Sequence, residues 1–383
     1  MAAHSIPTID YSLSTSPATR PKFLSQLRDA LVRVGFFYLQ NHPIPECLQE
    51  DLLAQSRELF QLSPEKKQEI DMASSKHFIG YVGMEDTVTV AKKDYRESYT
   101  LGYESPAPSP DEPIYRNLRG PNLWPDSSDL PEFRPVMERY MTEVRKLADE
   151  FKVFVAQALD MKPTALAHLF DGIPFDRLML AKYSPAASPE QAADKQGVQG
   201  KGVHKDASLL TFLLPGTSHG GLQALSPANE WIPVPPVPGA MIINVGMQLE
   251  ALTDGVCYAA LHKVVMRPEH YVDSNGNVLG PRFSFPLFHT ISLDAIQKEP
   301  LDVPPHILAL VRDDEARRNA RVSLRRLFQA GSAGYGVFAT RLRVYQKVTQ
   351  RWFPQYLDLL SLDKIPQLGA ALHSESKSIL AAV

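Results

Sequence analysis

A chain of 383 residues with 44% hydrophobic composition is long enough to bury a large core, as one big domain or two tightly joined ones. Forty Lys and Arg against 43 Asp and Glu give a formal net charge of −3, which leaves no basic surplus for nucleic acid. Two cysteines, Cys47 and Cys257, rule out a disulfide framework or a structural zinc site, and no apolar stretch reaches the length of a membrane span or the pattern of a signal peptide, so the expectation is a soluble, cytoplasmic protein.

Apolar residues at helical spacing, Phe23, Leu24, Leu27, Leu31 and Val34, predict a helix over 22–34 that Gly35 stops. Phe36 to Leu39 reads as a short strand, and Pro45 opens a second helix through Phe60. Ser63-Pro64-Glu65 starts a third, short helix. Gly80 to Gly83 opens an irregular stretch, Arg96 to Gly102 is extended, and 130–159 is a long amphipathic helix. From residue 174 the pattern changes. Arg177 to Tyr183 alternates and runs into a loop over 184–202. Six short apolar stretches follow: 209–214, 221–225, 231–234, 240–245, 257–265 and 283–291. Asn275-Gly276 marks a hairpin turn. After residue 300 the chain is helical again, most clearly over 337–353. The fold class expected is α+β, a jelly roll flanked by helices. A mainly helical region (1–170) packs on the barrel, the β core spans 171–300, and a helical region (301–383) closes the chain.

Chemistry concentrates in the β part. His204-Lys205-Asp206 places an imidazole and a carboxylate two residues apart, which in an extended segment points both side chains one way. His262 lies in a later apolar stretch that a jelly roll can bring opposite. Two imidazoles and one carboxylate suit Fe(II), with zinc as the main competitor, and leave coordination positions open. The other histidines read as structural: His42 in a turn, His219 and His270 in loops, His168 and His306 on helices, His289 on a strand. Arg282 and Ser284 share strand parity, so a guanidinium and a hydroxyl can grip one carboxylate; the alternative is an interior arginine paired with a structural acid.

These motifs resemble the Fe(II)/2-oxoglutarate-dependent dioxygenases of the isopenicillin N synthase-like family, over roughly residues 6 to 355. The matching segments run in order. They are Ile6-Pro7-Thr8-Ile9-Asp10, Gly35-Phe36-Phe37 through Asn41-His42-Pro43-Ile44, Gly80-Tyr81, Arg96-Glu97-Ser98-Tyr99 and Gly120-Pro121-Asn122-Leu123-Trp124-Pro125. Then come Gly202 to Asp206 with Leu210 to Leu214, Trp231-Ile232-Pro233-Val234, Asn244-Val245-Gly246, His262-Lys263-Val264-Val265 and Arg282-Phe283-Ser284-Phe285-Pro286. The C-terminal helix, with Arg341, Arg343, Tyr345 and Arg351-Trp352-Phe353-Pro354, is similar to that of fungal members, a likeness that implies a place in secondary metabolism.

The resemblance implies a distorted double-stranded β-helix. It implies His204, Asp206 and His262 as ligands of Fe(II), Arg282 and Ser284 on the distal carboxylate of 2-oxoglutarate, and Tyr183 on the same carboxylate. The implied activity consumes O2, releases succinate and CO2, and oxidises an unactivated C–H bond of a small organic substrate by hydroxylation, desaturation or cyclisation. Candidate substrate contacts are Tyr81, Arg96, Glu97, Tyr99, Phe288 and Arg267, and the 184–202 loop is the candidate lid. The stretch from His262 to Arg282 is longer than the family's and reads as a lengthened hairpin. Three alternatives stay open at this point: a related Fe(II) oxidase without 2-oxoglutarate, ethylene-forming cleavage of 2-oxoglutarate, and a non-enzymatic binder with a vestigial site. No nucleic-acid or membrane partner is expected, and the oligomeric state is open.

Overall fold

The computed structural model describes residues 5–84, 88–89, 92–172, 174–185, 197–273, 275–364, 367–372 and 374. Three helices open the chain, the amphipathic α1 (Arg20–Arg33) and α2 (Glu46–Gln61) and the short polar α3 (Pro64–Glu69). Helix α1 buries Phe23, Leu27, Ala30 and Leu31, and ends where Gly35 takes φ +74°. Helix α3 is capped by Ser63, whose hydroxyl accepts from the Lys66 amide. The long helix α4 (Phe133–Ala158) buries one face, including Met137, Val144, Phe151 and Val155.

Fourteen strands are described. β1 (Thr8–Asp10), β2 (Phe36–Gln40), β3 (Gly80–Val82), β4 (Val88–Thr89), β5 (Lys92–Lys93) and β6 (Glu97–Leu101) precede α4. After it come β7 (Arg177–Tyr183), β8 (Val198–His204), β9 (Leu210–Pro215), β10 (Leu222–Leu225), β11 (Trp231–Pro233), β12 (Ala240–Val245), β13 (His262–Met266) and β14 (Arg282–His289). A large sheet runs β1-β2-β12-β9-β14-β7-β6-β3, a small one β11-β10-β13-β8, and β4 pairs with β5. The two main sheets face each other across Phe36, Tyr38, Met179, Ala181, Leu222, Ala224, Ile242, Val264 and Met266. Strict alternation sends the other face of the large sheet into the helices: Phe283, Phe285 and Leu287 of β14 join Tyr99, Leu180, Phe212 and α4's Phe151 in one core. This is the α+β jelly roll expected from the sequence.

Several elements differ from the sequence reading. Gly80 to Val82 is a strand, β3, closed onto β6 by pairing that glycine-rich sequence does not advertise. Residues 198–204 form β8, so the expected loop over 184–202 ends in a strand; its residues 186–196 lie outside the described residues. The strand β13 takes in only the last four residues of the 257–265 stretch and Met266 beyond it; upstream, Ala259 spends its amide on the Glu250 carboxylate. β13 and β14 belong to different sheets, so the longer connection between them is a crossover carrying a small turn, with Val272 bridging Val278, and not one hairpin. The C-terminal helix is two, Ala333–Val344 and Gln346–Trp352, broken at Tyr345. The N-terminal region also supplies four strands of the large sheet, so it is built into the barrel as well as packed on it. Among the described residues no helix is long and apolar enough to cross a membrane.

Candidate active site

His204 ends β8 and His262 begins β13, and the two are direct partners across the small sheet. Their rings lie 4.2 Å apart, centroid to centroid, and Phe36 packs edge-on to His262 at 5.3 Å. Each ring is oriented by a backbone carbonyl, which can only accept. Nδ1 of His204 therefore donates to Gly202 O (2.8 Å) and Nδ1 of His262 to Ala260 O (3.1 Å). That fixes both tautomers and turns both Nε2 atoms inward.

Asp206 lies past the end of β8, not within the extended segment expected from the sequence. Its side chain is aimed by contacts rather than by strand parity. Oδ2 accepts from Thr211 Oγ1 at 2.7 Å and from Asn244 Nδ2 at 2.9 Å. Oδ1 is thereby left facing both imidazoles, 3.5 Å from each Nε2. Burial opposes ionisation of Asp206, but the two imidazoles hold its carboxyl well below the usual range. Burial and the neighbouring His262 keep His204 below the ordinary imidazole value. One ligand atom from each of the three residues lies within 4.8 Å of the others. Two lone-pair nitrogens and one free carboxylate oxygen, all pre-aimed at one point, fit a divalent metal.

Arg282 and Ser284 are buried side by side on the inner face of β14, with Arg282 Nη1 3.4 Å from Ser284 Oγ. Tyr183 is the partner of Arg282 across β7, and the guanidinium lies 4.6 Å over its ring. The Arg96 guanidinium lies within electrostatic reach of the Tyr183 hydroxyl. Burial pushes that phenol's pKa up, but Arg96 and Arg282 pull it below the usual value.

The other sequence candidates separate. Arg96 and Phe288 reach the inter-sheet side. Glu97, Tyr99 and Tyr81 do not: they occupy the opposite face of the large sheet. Tyr99 is fully buried against Phe133 and donates to Leu123 O, so it is core. Glu97 takes Lys67, Lys182 and the Tyr81 hydroxyl into one ion cluster. Adjacent residues alternate, so Arg96 and Glu97 cannot both face the pocket. Arg267 follows β13 at the end away from His262. It lines a surface cleft of about 220 Å³ with Tyr95, Pro185, Val198 and Tyr271. Sequence inspection missed Thr211 and Asn244, although both stand in stretches that carry the family resemblance.

Two family models match the chain: the non-haem dioxygenase N-terminal model over residues 6–127 and the 2OG-Fe(II) oxygenase superfamily model over residues 175–291. A 2-oxoglutarate-dependent dioxygenase of Gibberella zeae is 40% identical over 93% of this chain and 93% of its own. The chain belongs to the 2OG-Fe(II) oxygenase superfamily. A second relative of this oxygenase, the 2-oxoglutarate-dependent dioxygenase frbJ of a Dothideomycetidae species, is 36% identical over 94% of this chain and 95% of its own. A full-length Neurospora crassa protein, solved in complex with alpha-KG, shares the fold, with a TM-score of 0.66 at 24% identity over 83% of this chain and 94% of that one. This oxygenase is therefore an Fe(II)/2-oxoglutarate-dependent dioxygenase, with O2 as the second co-substrate and a candidate iron site at His204, Asp206 and His262.

Proposed function

We propose that His204 Nε2, His262 Nε2 and Asp206 Oδ1 hold the iron, and that Arg282 and Ser284, flanked by Tyr183, hold the distal carboxylate of 2-oxoglutarate. The bound pair supplies the oxidation of an unactivated C–H bond, with succinate and CO2 released. The protein's own part is positioning. Gly202 and Ala260 carbonyls fix the imidazoles, Thr211 and Asn244 confine Asp206 to one ligating oxygen, and the apolar inter-sheet wall excludes water. Holding the carboxylate to one oxygen leaves a metal face open for co-substrate and O2. The substrate is a small organic molecule lying over the iron beside Phe288. Two unpaired cysteines support a reducing, cytoplasmic setting, and the likeness to fungal members supports a place in secondary metabolism.

One observation carries this reading: a single carboxylate oxygen stands 3.5 Å from two tautomer-locked imidazole nitrogens. Succinate formation from 2-oxoglutarate tests it. His204→Ala and Asp206→Ala are expected to abolish succinate release, and retained release in either variant would contradict the ligand assignment.

A further inference from the structure

Thr211 and Asn244, which grip Asp206, begin a row across the inner face of the large sheet. Asn244 pairs with Thr211, Thr211 with Phe288, and Phe288 with Arg177. At the spacing of neighbouring strands, the Arg177 backbone lies about 10 Å from that of Thr211. Arg177 thus stands level with the metal ligands, across Phe288 from them. The next strand leaves Gly102 beside it, where a Cβ would sit 2.3 Å from Arg177 Nη1.

Arg177 is only 5% exposed. It stacks 4.2 Å over Phe175 and donates to two backbone carbonyls, Asp176 O at 3.0 Å and Leu118 O. Among the described residues no carboxylate pairs with it. The adjacent Asp176 points through the opposite face of the sheet, where Arg145 and His289 engage it. Instead, more positive charge gathers. Arg341 and Arg119 lie within electrostatic reach, and burial together with these two lowers the basicity of Arg177. Arg341 comes from the Ala333–Val344 helix and donates to the Tyr345 hydroxyl at 3.3 Å. Tyr345 in turn lies within electrostatic reach of Arg96 and Lys201. Lys201 is answered by Asp94 at 2.7 Å, and Arg282 by the co-substrate in the reading above; neither answers Arg177 and Arg341. A buried cation of this kind calls for an anion, and here the missing anion lies on the substrate side of the iron.

We propose that Arg177 and Arg341 anchor a carboxylate of the substrate, so that this oxygenase acts on a small organic acid whose body lies over Phe288 beside the metal. Arg177 has already committed two of its N–H groups to carbonyls, so its remaining edge matches a two-oxygen carboxylate better than a three-oxygen phosphate. Phe288 and Tyr345, both only partly buried, offer the apolar surface that the rest of such a molecule would cover. The assignment rests on the iron and 2-oxoglutarate reading for the direction in which the substrate lies.

The test uses the full chain loaded with Mn(II) and N-oxalylglycine, so that the co-substrate site is filled. Benzoate, 3-phenylpropionate and glutarate are titrated, each beside its methyl ester, together with inorganic phosphate. At least one acid is expected to bind, and its ester at least tenfold more weakly. Arg177→Met and the more exposed Arg341→Gln are each expected to weaken the acid at least tenfold. The visible band of the anaerobic Fe(II)–2-oxoglutarate complex is expected to remain in Arg341→Gln, which shows that the fold is intact. Esters that bind as well as acids, phosphate bound in preference, no acid bound, or wild-type affinity in Arg341→Gln would each overturn the proposal. Acid binding without the iron band would support the anion site and fault only the iron reading.

Discussion

At the scale of single residues, the proposed ligand set depends on who holds Asp206. A carboxylate with both oxygens free can chelate a metal and close its open face; here Thr211 and Asn244 occupy Oδ2. Removing either holder is expected to weaken Fe(II) binding about tenfold while leaving the fold intact. Anaerobic Fe(II) titration of Thr211→Val and Asn244→Ala checks this, and unchanged affinity in both would show that the grip is incidental.

The candidate ligands could be picked out of the sequence, because His-x-Asp, a strand histidine and Arg-x-Ser carry their chemistry in residue type and spacing. Their holders were not. Thr211 and Asn244 meet Asp206 only because β9 pairs with β12, and a pairing leaves no mark on either strand's own pattern. Glu97 shows the reverse error: an acid in a family-like stretch, yet one residue out of phase with the pocket. Burial opposes its ionisation, but Lys182, Tyr81 and Lys67 hold its pKa below the ordinary glutamate value of 4.5. A lowered folded pKa means that the stabilisation is present above the ordinary value and is lost as pH falls through the folded one. Glu97→Gln should therefore cost on the order of 3 kcal/mol at neutral pH, with the deficit shrinking as the solution is acidified below 4.5. Urea unfolding across that range measures it, and a deficit independent of pH would refute the ion cluster's role.

At the scale of elements, close approaches of backbone set where strands begin. Gly35 joins α1 to β2 at φ +74°, and a Cβ there would lie 2.0 Å from the Tyr258 carbonyl oxygen. Its own carbonyl accepts from Val245, so this turn ties β2 to the end of β12. Gly35→Ala combines left-handed strain with a backbone clash and should destabilise the protein by roughly 3 kcal/mol. Thermal unfolding would show it, and an unchanged Tm would mean that the turn yields at little cost. Amphipathic helices were readable to within a few residues because their period is strong. β3 and β8 were not, since Gly80-Tyr81-Val82 and Val198 to His204 are glycine-rich and partly polar. They become strands by pairing with β6 and β13, not by propensity. The break at Tyr345 likewise lacks a Gly or Pro to announce it. It is a tertiary feature, with Thr349 Oγ1 donating back to Leu342 O across the bend.

At the scale of the molecule, two sheets and a helical outer layer act as a frame that brings three candidate ligands from separate stretches to one point. β8 carries His204, β13 carries His262, and the passage from β8 to β9 swings Asp206 from the small sheet toward the large one. β14 contributes Arg282 and Ser284 from the facing sheet. The most direct measurement of this convergence is the visible absorption of the anaerobic protein on addition of Fe(II) and then 2-oxoglutarate. A weak charge-transfer band is predicted for the wild-type chain, lost in His262→Ala and requiring far more 2-oxoglutarate in Arg282→Ala. A folded, iron-loaded wild-type protein that never develops the band would contradict the account.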